Sequence, residues 1–200
     1  LAGLEKFCPH FHLSLQSGCD TVLRRMNRRY TAREYEQRCG ILRQYFSDPA
    51  LTTDVIVGFP GETEEEFEQS LAFVDKADFY ETHIFKYSKR EGTKAAVMPD
   101  QVDEQVKTAR SARMLELNER KQKAYEDSFV GKQVEVLCDG IDYDRKCFVG
   151  RAWWSAPDID GKVYFHATEA EQGERCLVTV TGSDSYDLFG ETEEYHESAK

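Results

Sequence analysis

Asp54-Val55-Ile56-Val57-Gly58-Phe59-Pro60-Gly61-Glu62-Thr63 is the stretch of this chain best suited to holding a ligand. Glycines let backbone approach a bound molecule, and the carboxyl end of a strand is where barrel enzymes assemble their sites. The same residues also suffice for a plain strand-to-helix turn capped by Thr63. Gln16-Ser17-Gly18-Cys19 stands in the equivalent place after an earlier alternating run. Its amide and hydroxyl suit a ribose or a carboxylate, and an ordinary turn accounts for them equally. Arg24, Arg25, Arg28 and Arg29, interleaved with Met26, Asn27 and Tyr30, can hold phosphates while Tyr30 stacks on a base. A solvated basic helix face is the plain alternative. His10 and His12 share one face of a strand, but no third metal ligand lies near them in sequence. Trp153-Trp154 offers an aromatic platform, one ring of which faces inward if the segment is a strand.

Other chemistries are excluded by spacing. The six cysteines, at 8, 19, 39, 138, 147 and 176, form no Cys-x2-Cys or Cys-x3-Cys step, so no local metal or iron–sulfur clip is present. Cys19 and Cys39 read as packed small hydrophobes. No Ser/His/Asp order, Walker loop or paired-His zinc motif occurs. Sparse cysteines without a secretory leader indicate reduced thiols in a cytoplasmic protein. The chain opens Leu1-Ala2-Gly3 with no Met and reads as a piece of a longer one.

The elements that must position these residues follow from periodicity. Phe11 to Gln16 alternates and suits a short strand; Asp20 can cap a helix through Val22, Leu23 and Met26. Thr31-Ala32-Arg33-Glu34 is a capping box opening a helix over about 31–46, with Tyr35, Cys39, Leu42 and Phe46 on one stripe. Leu51 to Gly58 is a β-branched buried strand. Thr63-Glu64-Glu65-Glu66 is a second capping box ahead of Phe67, Leu71 and Val74. Phe79 to Tyr87 is the next strand, and this alternation implies parallel pairing with helices packed outside. A long polar helix over roughly 101–128 carries Val102, Val106, Ala109, Arg113 and Leu117 on one face. Beyond it the period becomes two at Gln133–Leu137, Cys147–Val149, Lys162–Phe165 and Cys176–Val180, as in a small β-barrel. The expected division is 1–128, 129–190, and a loose acidic tail at 191–200.

The 200 residues are 40% hydrophobic and 32% charged, a globular composition with enough apolar surface for a core. No run of about 18 apolar residues is present, which excludes a transmembrane helix. Net charge is −11, a poor match for indiscriminate binding to nucleic acid or anionic membrane. It is unevenly spread: +2 over residues 1–60, −5 over 61–128 and −8 over 129–200. Any nucleic-acid contact therefore falls in the first block.

Cys8-Pro9-His10-Phe11-His12-Leu13-Ser14-Leu15-Gln16-Ser17-Gly18-Cys19-Asp20, followed by Val22-Leu23-Arg24-Arg25-Met26-Asn27-Arg28-Arg29-Tyr30-Thr31, resembles the radical S-adenosylmethionine methylthiotransferases. So do Thr53 to Thr63 and His83-Ile84-Phe85-Lys86-Tyr87-Ser88-Lys89-Arg90-Glu91-Gly92-Thr93, in family order and spacing across about 1–128. The barrel segments are most similar to the branch that methylthiolates threonylcarbamoyladenosine beside the tRNA anticodon, which implies an anticodon stem-loop as partner. After 129 the chain resembles the TRAM domain that ends these enzymes. Ala156-Pro157-Asp158-Ile159-Asp160-Gly161-Lys162-Val163-Tyr164-Phe165 and Tyr186-Asp187-Leu188-Phe189-Gly190 resemble instead the sister branch. That branch modifies an aspartate of a small-subunit ribosomal protein, and an acidic domain suits a basic protein partner.

The fold class this resemblance implies is α/β, a partial (β/α) radical barrel followed by a small all-β TRAM barrel. The full enzyme would bind S-adenosylmethionine and [4Fe–4S] clusters, cleave the former reductively and use the radical to activate a carbon–hydrogen bond. The family's cluster-binding Cys-x3-Cys-x2-Cys loop is not among these residues, so none of them is expected to ligate the catalytic cluster. The resemblance puts Gln16, Ser17, Asp54, Ile56 and Gly58 beside S-adenosylmethionine, with Tyr87, Ser88 and Thr93 closing the last strand. It leaves Arg24, Arg25, Arg28 and Arg29 for substrate. A docking module for RNA or protein, inactive by itself, is the reading from another class.

Overall fold

Two local signals start the helices that brace the sheet. In the computed structural model, which describes residues 1–4, 7–157, 160–184 and 186–198 (side chains as far as 195), Thr31 and Thr63 each close a full capping box. Thr31 Oγ1 accepts from Glu34 N at 3.1 Å and Glu34 Oε2 from Thr31 N at 2.8 Å, which satisfies two free amides at the start of α2 (Ala32–Tyr45). Thr63 and Glu66 repeat this at α3 (Glu64–Ala77). Contacts group residues 11–121 into one unit and residues 3–10 with those from 122 onward into another.

In the first unit β1 (His10–His12), β2 (Ala50–Val57) and β3 (Glu81–Lys86) form a sheet in the order β1-β2-β3. β2 and β3 run parallel, from Thr52 opposite Glu81 to Val57 opposite Lys86. The strand expected over Phe11–Gln16 is cut short. Leu15 N donates to Thr53 Oγ1 rather than to a ladder carbonyl, and Gln16, at φ 73°, rejoins β2 through a single bridge to Val55. Alternation then sorts the faces of β2. Leu51, Val55 and Val57 pack with Phe67, Val74, Tyr35, Met114 and Leu117 in the core, all buried. Burying Phe67 alone contributes roughly 2–3 kcal/mol. Thr52, Asp54 and Ile56 look the other way.

The short α1 (Asp20–Arg25) follows β1, and α4 (Glu104–Asp127) follows β3. The buried stripe of α4 is not the apolar one expected from Val102, Val106 and Ala109. Val106 is exposed, and Lys107, Arg110, Met114, Leu117 and Asn118 face inward. Polar partners supplied by the sheet and α3 decide this. Asn118 Oδ1 accepts the β3 amide of Thr82 at 2.8 Å, and Arg110 meets glutamates described below.

The second unit closes a barrel in the order β4-β5-β6-β8-β7. Its strands are β4 (Gln133–Asp142), β5 (Cys147–Arg151), β6 (Val163–His166), β7 (Arg175–Asp184) and β8 (Asp187–Glu191). Val134, Val136, Cys138, Val163, Phe165, Cys176, Val178, Val180 and Leu188 fill the interior. Trp153 and Trp154 lie in a turn, with Trp154 buried against Phe129 at 4.4 Å between ring centres and Trp153 edge-on to it at 5.2 Å. The tail expected to be loose carries a helix, α5 (Glu193–Ser198), where the Tyr195 ring stacks on His166 at 5.2 Å. No helix among the described residues is long and apolar enough to cross a membrane.

Candidate functional site

The uncovered face of the sheet carries a polar cluster drawn from three strands. Asp54 stands directly opposite His83 on β3, and His12 reaches it from β1. His12 Nε2 lies 3.2 Å from Asp54 Oδ2, while its Nδ1 lies 3.0 Å from Thr52 Oγ1. Ser14 Oγ donates to Asp54 Oδ2 at 3.1 Å. The His12 and His83 rings stack at 5.8 Å. One strand step along, Ile56 pairs with Phe85, which is 52% exposed, so apolar surface adjoins the polar cluster. A face of this kind takes an amphipathic ligand, with flat apolar groups on Ile56 and Phe85 and hydrogen-bonding groups on the cluster. His83 was not singled out in the sequence: its partners are 29 and 71 positions away, and strand register alone unites them.

Two turns at the carboxyl end of the strands frame this face. Gln16 is 7% exposed and holds β2 through its backbone, its N–H to Asp54 O and its C=O from Ile56 N. Ser17 is fully buried, and its hydroxyl accepts from Cys19 N at 3.2 Å. Gly58, at φ +72°, has a structural reason for lacking a side chain, since a Cβ would come within 2.3 Å of Lys107 Cγ. Its N–H donates to Glu62 Oε1 at 2.8 Å, and Arg110 Nη1 donates to the same oxygen at 2.9 Å. Glu62 and Arg110 are 6% and 5% exposed, so the turn is locked by an ion pair shut away from water. Arg110 also binds Glu64, and Arg113 binds Glu64 and Glu68.

The four arginines separate into two kinds. Arg25 is committed to Glu66, with Nη1 donating to Oε1 at 3.0 Å and Nη2 to Oε2. Arg24, Arg28 and Arg29 are exposed. They are presented by a helix end in which Asn27 takes the left-handed conformation, Asn27 N donates to Arg24 O and Arg28 N to Leu23 O. Tyr30 is anchored instead of free to stack on a base: its hydroxyl donates to Leu15 O at 2.8 Å and its ring packs on the core. The hydrogen bond from Arg25 holds the Glu66 carboxyl down to about 2. A lowered folded value means stability that is complete above the usual glutamate range and is lost as pH falls toward 2. Glu66→Gln should therefore remove roughly 1 kcal/mol of acid-sensitive stability from this unit, because solvent reaches the pair and screens it. Urea titrations followed by circular dichroism from pH 5 down to pH 2 should give a flatter profile for the variant; parallel profiles would contradict it.

A basic protein partner is expected to meet the Asp/Glu-rich face around Asp158, Asp160, Glu169 and Glu171; Glu169 and Glu171 are exposed, but Asp160 is not part of that face. Its side chain is 3% exposed and accepts from Ala156 N at 2.6 Å. Asp158 lies outside the described residues. Cys19, Cys39, Cys138 and Cys176 are buried, and no three cysteines come together among the described residues. Among the described residues no set of thiols offers the ligands of a four-iron cluster, whereas Ile56 and Phe85 beside Asp54 offer apolar surface and hydrogen-bonding groups of the kind an adenosine-bearing ligand would use.

Residues 1–74 match the radical SAM superfamily and residues 130–192 match the TRAM domain. The chain is 47% identical over 148 residues to the tRNA-2-methylthio-N(6)-dimethylallyladenosine synthase of Acetivibrio thermocellus, covering 74% of this chain and 31% of that protein. It is 40% identical over 187 residues to the ribosomal protein uS12 methylthiotransferase RimO of Geobacter sulfurreducens, covering 93% of this chain and 42% of that protein. The chain thus spans less than half the length of these relatives.

Proposed function

The chain belongs to the radical S-adenosylmethionine methylthiotransferases that carry a TRAM domain, and on that premise we propose that it is the substrate-facing part of an enzyme that adds a methylthio group to threonylcarbamoyladenosine beside the tRNA anticodon. One observation carries the choice of tRNA. Arg24, Arg28 and Arg29 are all exposed, at the end of α1 and just after it, in the one stretch of the chain with net positive charge. Exposed guanidiniums suit phosphates of a stem-loop. The choice of threonylcarbamoyladenosine over other adenosines rests on the resemblance of the barrel segments.

S-adenosylmethionine, when bound, supplies the radical chemistry. This chain's share is to bind and orient: Asp54 and the Gln16 turn offer polar groups, Ile56 and Phe85 an apolar bed, and the Gly58 turn a fixed backbone wall. Ser17 contributes by holding its turn. Six free thiols fit a reducing, cytoplasmic setting.

The second reading, a basic ribosomal-protein substrate, is favoured by the −8 charge of residues 129–200 with Glu169 and Glu171 exposed. Charge reversal separates the two. Arg24→Glu with Arg28→Glu should weaken binding of a fluorescent anticodon stem-loop roughly 10-fold or more and reduce the slope of log affinity against log salt by about 1–2. Unchanged RNA binding in that variant, with binding of ribosomal protein uS12 lost on Glu169→Lys and Glu171→Lys, would sink the tRNA reading.

A further inference from the structure

The geometry points to a divalent transition-metal site made by His12, Asp54 and His83, separate from any iron–sulfur cluster. The chemistry of the donor set is the first ground. Two imidazoles and one carboxylate, each offering one atom, lie within 4.8 Å of one another, and no other such group occurs among the described residues. Two histidines with one carboxylate, leaving open positions, is a recurrent set for zinc and for non-haem iron(II).

Spacing is the second ground. Ligands at 2.0–2.2 Å from one ion stand about 3.0–3.5 Å apart. His12 Nε2 and Asp54 Oδ2 are 3.2 Å apart, and Ser14 Oγ completes a triangle at 3.3 Å and 3.1 Å from them. A ring nitrogen of His83 lies within 4.8 Å of both of these ligand atoms.

The outer partners are the third ground. Metal-bound histidines generally give their other nitrogen to an oxygen, which fixes ring and tautomer. His12 does so through Nδ1 to Thr52 Oγ1 at 3.0 Å, and His83 Nδ1 lies 3.9 Å from Glu81 Oε1. With Nδ1 protonated toward Thr52, His12 Nε2 turns a lone pair toward the Asp54 carboxylate. Two acceptors at that distance call for a cation between them. In the opposite tautomer Nε2–H simply donates to Asp54 and no ion is held, so the two arrangements differ in an observable way. Side-chain exposures of 42% for His12 and 26% for Asp54 leave the centre open to an ion from solvent.

The inference shares Asp54 with the proposed cofactor face but does not rest on that activity, and its test reads metal alone. Equilibrium dialysis of the chain with Zn²⁺, and titration with Co²⁺ followed by visible absorption, should give one ion per chain. The cobalt spectrum should lack the near-ultraviolet band of a thiolate ligand, which excludes the six cysteines as the source. Asp54→Asn and His83→Ala should each weaken binding beyond the 10–100-fold that loss of an outer partner typically produces, while Thr52→Val should fall at about 10-fold. Circular dichroism of each variant checks that the sheet persists. Cys8→Ser with Cys147→Ser should bind as the parent does. Affinity weaker than about 1 mM, a thiolate band, or binding unmoved by Asp54→Asn and His83→Ala would each overturn the site.

Discussion

Replacing Glu62 by alanine should lower the stability of the 11–121 unit by about 3 kcal/mol, the lower end for removing one partner of a buried ion pair, because Arg110 keeps Glu64. Two interactions vanish together, as the Gly58 N–H loses its acceptor at 2.8 Å and Arg110 loses a carboxylate at 2.9 Å, and with them the turn loses its lock. The pair is not itself a large source of stability. Burial pushes the Glu62 carboxyl up, and the hydrogen bonds from Gly58 and Arg110 only partly pull it back, so attraction does not repay desolvation. Removing both charges should therefore be far milder than removing one. Glu62→Gln with Arg110→Met keeps an oxygen for Gly58 and should recover most of the loss. Far-ultraviolet circular dichroism follows this unit, which holds most of the helix, while both tryptophans sit in the other unit and serve as an internal reference. A Glu62→Ala shift under about 1 kcal/mol, or a double variant no better than the single one, would contradict the account.

What the sequence makes legible here is whatever is local. Thr31 with Glu34 and Thr63 with Glu66 are three residues apart, so the capping boxes and the helices they open can be read directly. The β-branched run of β2 and the alternation of β4 and β7 are equally plain, and parallel pairing follows from the order of elements. The buried face of α4 is not legible, because Lys107, Arg110 and Asn118 find the Tyr87 ring, Glu62 and the Thr82 amide as partners from elsewhere in the chain. β8 escapes notice because Asp187 and Gly190 interrupt its alternation, and only its pairing with β6 on one side and β7 on the other defines it. The same reason hides the site. Asp54 is marked by its place in the β-branched run that leads into Gly58, but His12 and His83 acquire meaning only when register sets them beside it. Arg25 illustrates the converse: it belongs by sequence to a basic run, yet Glu66, 41 positions away, takes it out of service.

Anaerobic reconstitution of this chain with iron and sulfide should leave it without a four-iron cluster and unable to cleave S-adenosylmethionine. A site-differentiated cluster needs at least three thiolates converging on one volume. Here Cys19, Cys39 and Cys138 are at most 2% exposed, and Cys176 is 9% exposed. Burial pushes the thiols of Cys39, Cys138, Cys147 and Cys176 up, which opposes the thiolate form a cluster requires. Cys8 and Cys147 are the more accessible pair, one thiol short. Iron bound in this experiment should come without acid-labile sulfide, should amount to the one ion that His12, Asp54 and His83 would take, and should be lost on Asp54→Asn. About four irons with matching sulfide per chain, or 5′-deoxyadenosine formed under reducing conditions, would show that cysteines remote in this fold can converge. The radical chemistry would then belong to these residues themselves.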